Sequence, residues 1–571
     1  MISRLASRSI ILGTLVLFTN LKSQDLDSLF TSPLDIPLYL SGNFAELRNN
    51  HFHTGIDIKT QGVEGQNVLA VADGFVSRIS ISPYGYGNAI YIEHPNGYTT
   101  LYGHLQKFSP EISEVVREKQ YQSSSFRVDF VPKEKIEVKR GEIIATSGNS
   151  GSSGGPHLHF EIRRTSDSHA LNPLKFGFAI KDDIPPRIRG VRFHPLSDST
   201  LIDGKNEAKS FVVHGSNGKY RLKTTEAINV YGAFGISIHA LDYLNGYPNK
   251  CGLYKVYLEV DEEKICAQQF DELDFATIGH INSYKAYDVY RRNRWHYHKS
   301  FVEPGNDLEI YTEAMNGNGI LFFPDTDTHR ANYKVTDAYG NRSSLSFEFT
   351  SISKPTTIKE GTKPYDAYFK FDQPNEFTYN DELMVSLPEN SLYTDLKFSL
   401  GREEPKQGQY SARFSVQNEL VPLKKPMNIT LSASNVPDSL KNKIVIARYA
   451  STGGASYLEA ERNENHFQGK SKQFGKFVLE ADTNAPDITV VQVPKAFSVG
   501  SKIVVRVKDD KTGISKFESK LNGNWILTEY EPKKRTLTIR ISDRDKLVDL
   551  NQLEIAVSDL VGNTAEKRII R

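Results

Sequence analysis

Between residues 67 and 102 the apolar residues come in short runs, at 67–72, 74–79, 89–94 and 98–102, each bounded by Gly, Pro or Asn. The runs are rich in β-branched and aromatic types, which predicts closely spaced antiparallel strands. His94-Pro95-Asn96-Gly97 between the last two predicts a tight turn, since Asn-Gly accepts the positive φ such turns need. That reading makes His94 a turn residue without a chemical role. The period then changes. Ser109-Pro110 offers a helix N-cap and a first-turn proline, and Ile112, Val115 and Val116 recur at i, i+3 and i+4. The stretch from 107 to about 138 is therefore a helix-bearing excursion between two strands. It starts just past His104, so it either walls a site there or is an ordinary surface insertion.

Beyond residue 180 the pattern stays strand-like and turn-rich. Asp182-Asp183-Ile184-Pro185-Pro186 reads as a linker. Three landmarks then occur twice in the same order. Asp183-Ile184-Pro185-Pro186-Arg187-Ile188 matches Asn484-Ala485-Pro486-Asp487-Ile488. Cys251-Gly252-Leu253-Tyr254-Lys255-Val256 matches Thr512-Gly513-Ile514-Ser515-Lys516-Phe517. Val335-Thr336-Asp337-Ala338-Tyr339-Gly340-Asn341 matches Val557-Ser558-Asp559-Leu560-Val561-Gly562-Asn563. The repeat predicts two related β-sandwich modules, 185–350 with large insertions and 485–571, with a further β module at 355–480 between them. Asp-x-x-Gly-Asn before a final strand is similar to turns in bacterial immunoglobulin-like domains. Asp337 and Asp559 are candidate calcium ligands, with turn formation as the default role. His296-Tyr297-His298 sits among charged residues and reads as a strand surface.

The fold class is thus mainly β, with an N-terminal antiparallel domain at 24–180 followed by β-sandwich modules. The length, 571 residues, agrees with about four domains. The abundance of Tyr and Phe (28 and 31) over Met (4) favours β modules over helical bundles. Charge is balanced, 70 basic against 69 acidic residues, so no net field directs the chain to nucleic acid or an anionic membrane. Arg4 and Arg8 precede an apolar run at 10–18, shorter than the ~20 residues a spanning helix needs. A polar stretch with small Ser23 follows. This predicts a secretory signal peptide over 1–23 rather than an uncleaved anchor, no transmembrane segment, and a periplasmic or extracellular destination. The two cysteines, Cys251 and Cys266, flank a hairpin turn that does not set them directly opposite, which argues against a disulfide despite the oxidising compartment.

Four clusters in the N-terminal domain carry chemistry. In His51-Phe52-His53-Thr54-Gly55-Ile56-Asp57-Ile58, the even spacing puts His53 and Asp57 on one face of an extended chain. Imidazole and carboxylate both ligate zinc at ~2.0–2.2 Å; His51 has the same parity and is the rival ligand. Leu101-Tyr102-Gly103-His104-Leu105 puts one histidine at a strand end. Residues 147–155 form a Gly/Ser-rich loop, but it runs into Pro156 with no following lysine, which rules out a P-loop. His157-Leu158-His159 follows, with both histidines on one face of a strand. Four histidines and one aspartate make a set of three groups to bind a metal and two to act beside it.

The order His-x-x-x-Asp, Tyr-Gly-His-Leu, Ser-Gly-Asn-Ser-Gly and Gly-Pro-His-Leu-His-Phe-Glu-Ile-Arg resembles the lysostaphin-like zinc metalloendopeptidases, as does the closing Asn172-Pro173-Leu174. The resemblance runs from Asn43 to Leu174. It implies a compact antiparallel domain, duplicated-hybrid-motif-like, with its site in a groove. It implies that His53, Asp57 and His159 bind Zn2+ and that His104 and His157 sit beside the attacking water. The implied substrate is the peptide stems or bridges of peptidoglycan, and the C-terminal modules then space the enzyme, bind wall or a protein partner, or regulate access. The excursion after His104 departs from the pattern. Two alternatives stand beside this reading: a non-enzymatic wall-binding adaptor or activator of another hydrolase, and an adhesion protein dominated by its β modules.

Overall fold

A computed structural model describes residues 29–312, 316–354 and 364–571; the expected signal peptide lies outside them. The N-terminal domain contains strands β1 (Leu40–Gly42), β2 (Ile56–Lys59), β3 (Asn67–Leu69), β4 (Gly74–Ile81), β5 (Asn88–Glu93), β6 (Tyr98–Gly103) and β7 (Leu105–Phe108). Helix α1 (Pro110–Ser123), β8 (Val128–Phe130), β9 (Glu137–Val138), β10 (Ile143–Ser147), β11 (His157–Arg164) and β12 (Ala170–Leu171) complete it. The main sheet runs β1-β2-β11-β6-β5-β4-β8, and β3-β10-β7 forms a smaller second sheet. Ser109 occupies the N-cap position with Pro110 in the first turn, as the sequence predicts, but the Ser109 side chain makes no cap hydrogen bond. The Ser113 hydroxyl instead donates to the Phe108 carbonyl at 3.0 Å.

Strand β11 is the centre of this domain. Leu158, Phe160 and Ile162 point into a core with Ile56, Ile58, Val68 and Ile79, all fully buried. The alternation of a strand sends His157, His159 and Glu161 to the opposite face. The register sets His159 across from Asp57 on β2 and from Gly103 on β6. Close approach of β2 and β11 needs Gly55: a Cβ there would lie 2.3 Å from the Phe160 carbonyl oxygen.

The domain does not end cleanly at the linker. Ala170 and Leu171 pair with Leu273 and Glu272, which extend the main sheet from far along the chain. Phe44, Leu47 and Phe52 share a core with Phe270, Ile281, Tyr284 and Leu308. The insertion the sequence assigns to the first β module is therefore packed against the N-terminal domain, and its short helices Ile281–Tyr284 and Tyr287–Asn293 belong to that contact.

The remaining chain is mainly β. An eleven-stranded sheet forms the first module, with Phe193, Ile236, Val256, Tyr333 and Phe347 in its core. Two five-stranded sheets share a core built on Val385, Phe414, Ile429 and Phe477, and two four-stranded sheets share one built on Val505, Leu537, Ile555 and Val557. Both pairs are β-sandwiches. Among the described residues, no helix is long and apolar enough to cross a membrane.

Two sequence readings need comment. His298 is not on a strand surface: it is buried and accepts or donates a 2.9 Å hydrogen bond with the Tyr284 hydroxyl. The insertion's helices cover the strand face that the local charge pattern assigns to solvent. Cys251 and Cys266 are both buried and free. Cys266 lies across from Leu258 in the strand ladder, while Cys251 pairs with Asp242 outside it.

Candidate metal centre

Two strands and the segment leading into one of them deliver three ligand-type atoms to one point. His53, just before β2, brings Nε2; Asp57 in β2 brings Oδ1; His159 in β11 brings Nδ1. His53 Nε2 is 3.0 Å from Asp57 Oδ1, His159 Nδ1 is 2.9 Å from the same oxygen, and the two nitrogens are 3.1 Å apart. His51, the rival by parity, is exposed and stands outside this group.

Both histidines of this group are held from behind. Asn43 O accepts from His53 Nδ1 at 2.7 Å, which leaves Nε2 bare. Asn43 is itself clamped by Gly252: its amide donates to the Gly252 carbonyl at 2.9 Å, and Gly252 N–H donates to its Oδ1 at 2.6 Å. His159 Nε2 donates to Glu161 Oε1 at 2.8 Å, which leaves Nδ1 bare. Glu161 is fully buried. Its Oε1 also accepts from the Thr54 and Tyr86 hydroxyls at 2.6 and 2.7 Å, and its Oε2 accepts from Arg163 Nε at 2.8 Å. A carboxylate behind a ligating imidazole fixes its tautomer and orientation. Sequence reading assigned no role to Glu161, Asn43, Thr54, Tyr86 or Arg163. For Glu161 the signal was present, because it continues the i, i+2, i+4 parity of His157 and His159.

His104 and His157 converge beside the three atoms. Their ring centroids are 4.7 Å apart, and His104 lies 5.8 Å from the His159 ring. His104 follows β6 with φ of 59°, a left-handed conformation uncommon outside glycine. Its Nδ1 donates to Ser150 O at 2.8 Å. His157 Nδ1 donates to Gly155 O at 2.8 Å and lies 3.1 Å from Ser153 Oγ; its Nε2 is 3.4 Å from Asp57 Oδ1. Carbonyl acceptors on both Nδ1 atoms leave both Nε2 atoms bare. The Gly/Ser loop thus positions both imidazoles through its backbone oxygens. Its close seat on the Gly85–Gly87 turn requires Gly151, where φ is 69° and a Cβ would lie 2.3 Å from Gly87 N.

The electrostatics follow from burial and mutual contact. Burial would raise the Asp57 carboxyl, but the close approach of His53, His157 and His159 outweighs it and holds Asp57 well below the usual carboxylate range. Burial pulls His159 down, but hydrogen bonds to Asp57 and Glu161 push it up to about 9. Burial, with the charges of His159 and His157, lowers His104 to about 3. Burial also lowers His53, against the opposing pull of Asp57.

The sequence model described as Peptidase family M23 matches residues 51–123 and 121–173, the stretch that carries all five of these side chains. The N-terminal domain is a peptidase M23 domain. A second model, described as a Zu5-like domain, matches residues 366–482, the sandwich of two five-stranded sheets. Over 122 residues, 21% of this chain, the M23 domain is 39% identical to the DD-carboxypeptidase/endopeptidase Mpg of Neisseria meningitidis, covering 22% of that protein. Over the same length it is 38% identical to the murein hydrolase activator NlpD of Escherichia coli, covering 25% of that protein. The chain thus spans about a quarter or less of the curated relatives it matches. The catalytic domain of lysostaphin from Staphylococcus simulans aligns with 26% identity and a TM-score of 0.18, over 24% of this chain and 87% of that one.

Proposed function

We propose that the protein is an exported, zinc-dependent endopeptidase that hydrolyses peptide cross-links of peptidoglycan. The observation that carries the reading is the crowding at Asp57. One carboxylate oxygen gathers three imidazole nitrogens at 2.9, 3.0 and 3.4 Å. All three nitrogens have lone pairs facing it, because their partner nitrogens donate elsewhere. Such an arrangement calls for a cation. His53 Nε2, Asp57 Oδ1 and His159 Nδ1 are spaced close to the ~3.4 Å edge of a tetrahedron with ~2.0–2.2 Å bonds, and two nitrogens with one oxygen suit zinc. When bound, zinc supplies Lewis acidity to the scissile carbonyl and to a water molecule.

The chain's own residues supply the rest. His104 and His157 present bare Nε2 atoms, which take the proton released by water and return one to the departing amine. The groove beside them encloses about 630 Å³ and is lined by Arg48, Lys59, Gly154, Gly155 and, from the first β module, Tyr247. Lys59 lies over the Tyr247 ring at 4.4 Å. This floor suits an extended peptide that carries carboxylates. Export rests on the N-terminal pattern, and wall or partner binding is the corresponding proposal for the β modules.

The name of the Escherichia coli relative offers the activator reading. The complete set of three ligand atoms and two acting histidines favours catalysis. Purified protein is expected to release peptides from isolated peptidoglycan, and a chelator is expected to abolish the release, with zinc restoring it. Absence of release from zinc-loaded protein, alongside stimulation of a separate hydrolase, would establish the activator instead. Glu161→Gln should keep the fold and weaken zinc binding about 10–100-fold, measured by competition with a chromogenic chelator.

A further inference from the structure

The landmarks that recur in the first and last β modules bring three carboxylates together twice, from the same three places. In the first module, Asp182 comes from the segment entering the module, Asp242 directly follows strand Phe234–Leu241, and Asp337 directly follows strand Thr328–Thr336 at the turn into the final strand. In the last module, Asp482 directly follows strand Gly475–Ala481 in the entering segment, Asp509 directly follows strand Lys502–Lys508, and Asp559 closes strand Gln552–Asp559 at the turn into the final strand. Within each trio the oxygens lie within 4.8 Å of one another. The bracing is repeated too. Asn341 donates to Asp182 O and Asp337 Oδ2 at 3.2 and 2.8 Å; Asn563 donates to Asp482 O and Asp559 Oδ2 at 3.0 and 2.6 Å.

Hydrogen bonding within the turns accounts for only part of this. Asp242 is 1% exposed, yet its Oδ1 has no hydrogen-bond partner. The Asp182 Oδ2 and Asp509 Oδ1 atoms also lack one, on side chains that are half-buried. Neighbouring lysines are engaged elsewhere, Lys181 with Asp183 at 3.6 Å and Lys511 with Glu480 at 3.3 Å. Unpaired buried carboxylates that face one another are expensive, and burial is tolerated when they coordinate a metal.

We propose that each trio binds one calcium ion, which ties the entering segment to the sandwich it precedes. The donors are all carboxylate oxygens, which selects a hard cation, and their irregular setting is one that calcium accepts more readily than magnesium. The first ion would fix the M23 domain to the first module, and the second would fix the Zu5-like sandwich to the last. The proposal stands apart from the zinc reading, because it shares no residue with that site.

The test is calcium titration of the full-length, zinc-loaded chain in calcium-free buffer, by calorimetry and equilibrium dialysis. Two equivalents are expected, with a rise in the thermal midpoint on calcium addition. Asp242→Asn and Asp509→Asn should each leave one equivalent, and the double variant none. No bound calcium and no thermal shift in the unsubstituted protein at millimolar calcium would overturn the proposal, whether or not the variants fold. So would two equivalents retained by the double variant. Equal binding of magnesium would overturn the assignment to calcium.

Discussion

His159→Ala is expected to leave the protein without stoichiometric zinc and to reduce peptidoglycan hydrolysis to background, as read by metal analysis of the purified variant. The expectation follows from position. His159 is the candidate ligand on the central strand, and its Nδ1 lies 2.9 Å from Asp57 Oδ1 and 3.1 Å from His53 Nε2. Two donors remain after its removal, fewer than the three protein ligands of catalytic zinc sites. No other histidine joins the group: His51 is exposed, and neither His104 nor His157 is among the three mutually close donors. The fold should survive, because Glu161 keeps Thr54, Tyr86 and Arg163 as partners after losing the imidazole. Full retention of zinc in a folded variant would show that the ligand set is different.

The five side chains at the site were legible because strand parity and local motif spacing are local properties. His53 with Asp57, and His157 with His159, are each two or four residues apart on extended chain, so the face they share can be read directly. The convergence of β2 with β11 follows from a register that pairs His159 with Asp57, 102 residues away, and only the resemblance to known endopeptidases supplied that. Asn43 was out of reach for a different reason. Its clamp is the backbone of Gly252, 209 residues later, and nothing in either segment signals the other. The same holds for His298, whose burial depends on helices that a charged stretch does not advertise. The mainly-β architecture was visible in the alternation of the strands, whereas the attachment of residues 270–310 to the M23 domain was hidden by their place inside another module.

The backbone strain at His104 has a structural cause. A non-glycine residue at φ of 59° persists when its surroundings determine it. Here His104 N–H donates to Tyr86 O at 2.7 Å while the ring is pinned to Ser150 O. Tyr86 in turn donates to Glu161, the carboxylate behind His159. One tyrosine therefore couples the positioning of His104 to that of His159.

His104→Ala and His157→Ala are each expected to keep zinc and to lose turnover by about 10²–10⁴-fold, the range for a positioned acid or base. Neither histidine is among the three mutually close donors, so metal content should not change. The two differ in setting. His104 is deeper and its burial keeps it neutral, with a bare Nε2 suited to accepting a hydrogen bond from water and holding it. His157 is the more open of the two and lies 3.4 Å from Asp57 Oδ1, so it is the better placed to exchange a proton with solvent. With rings 4.7 Å apart, two imidazolium charges side by side are costly, and a single proton must serve both. The double variant should therefore fall no further than about the worse single, as residues acting as one unit do. The check is kcat measured with zinc quantified in every sample. Losses that multiply in the double variant would mean that the two histidines act independently.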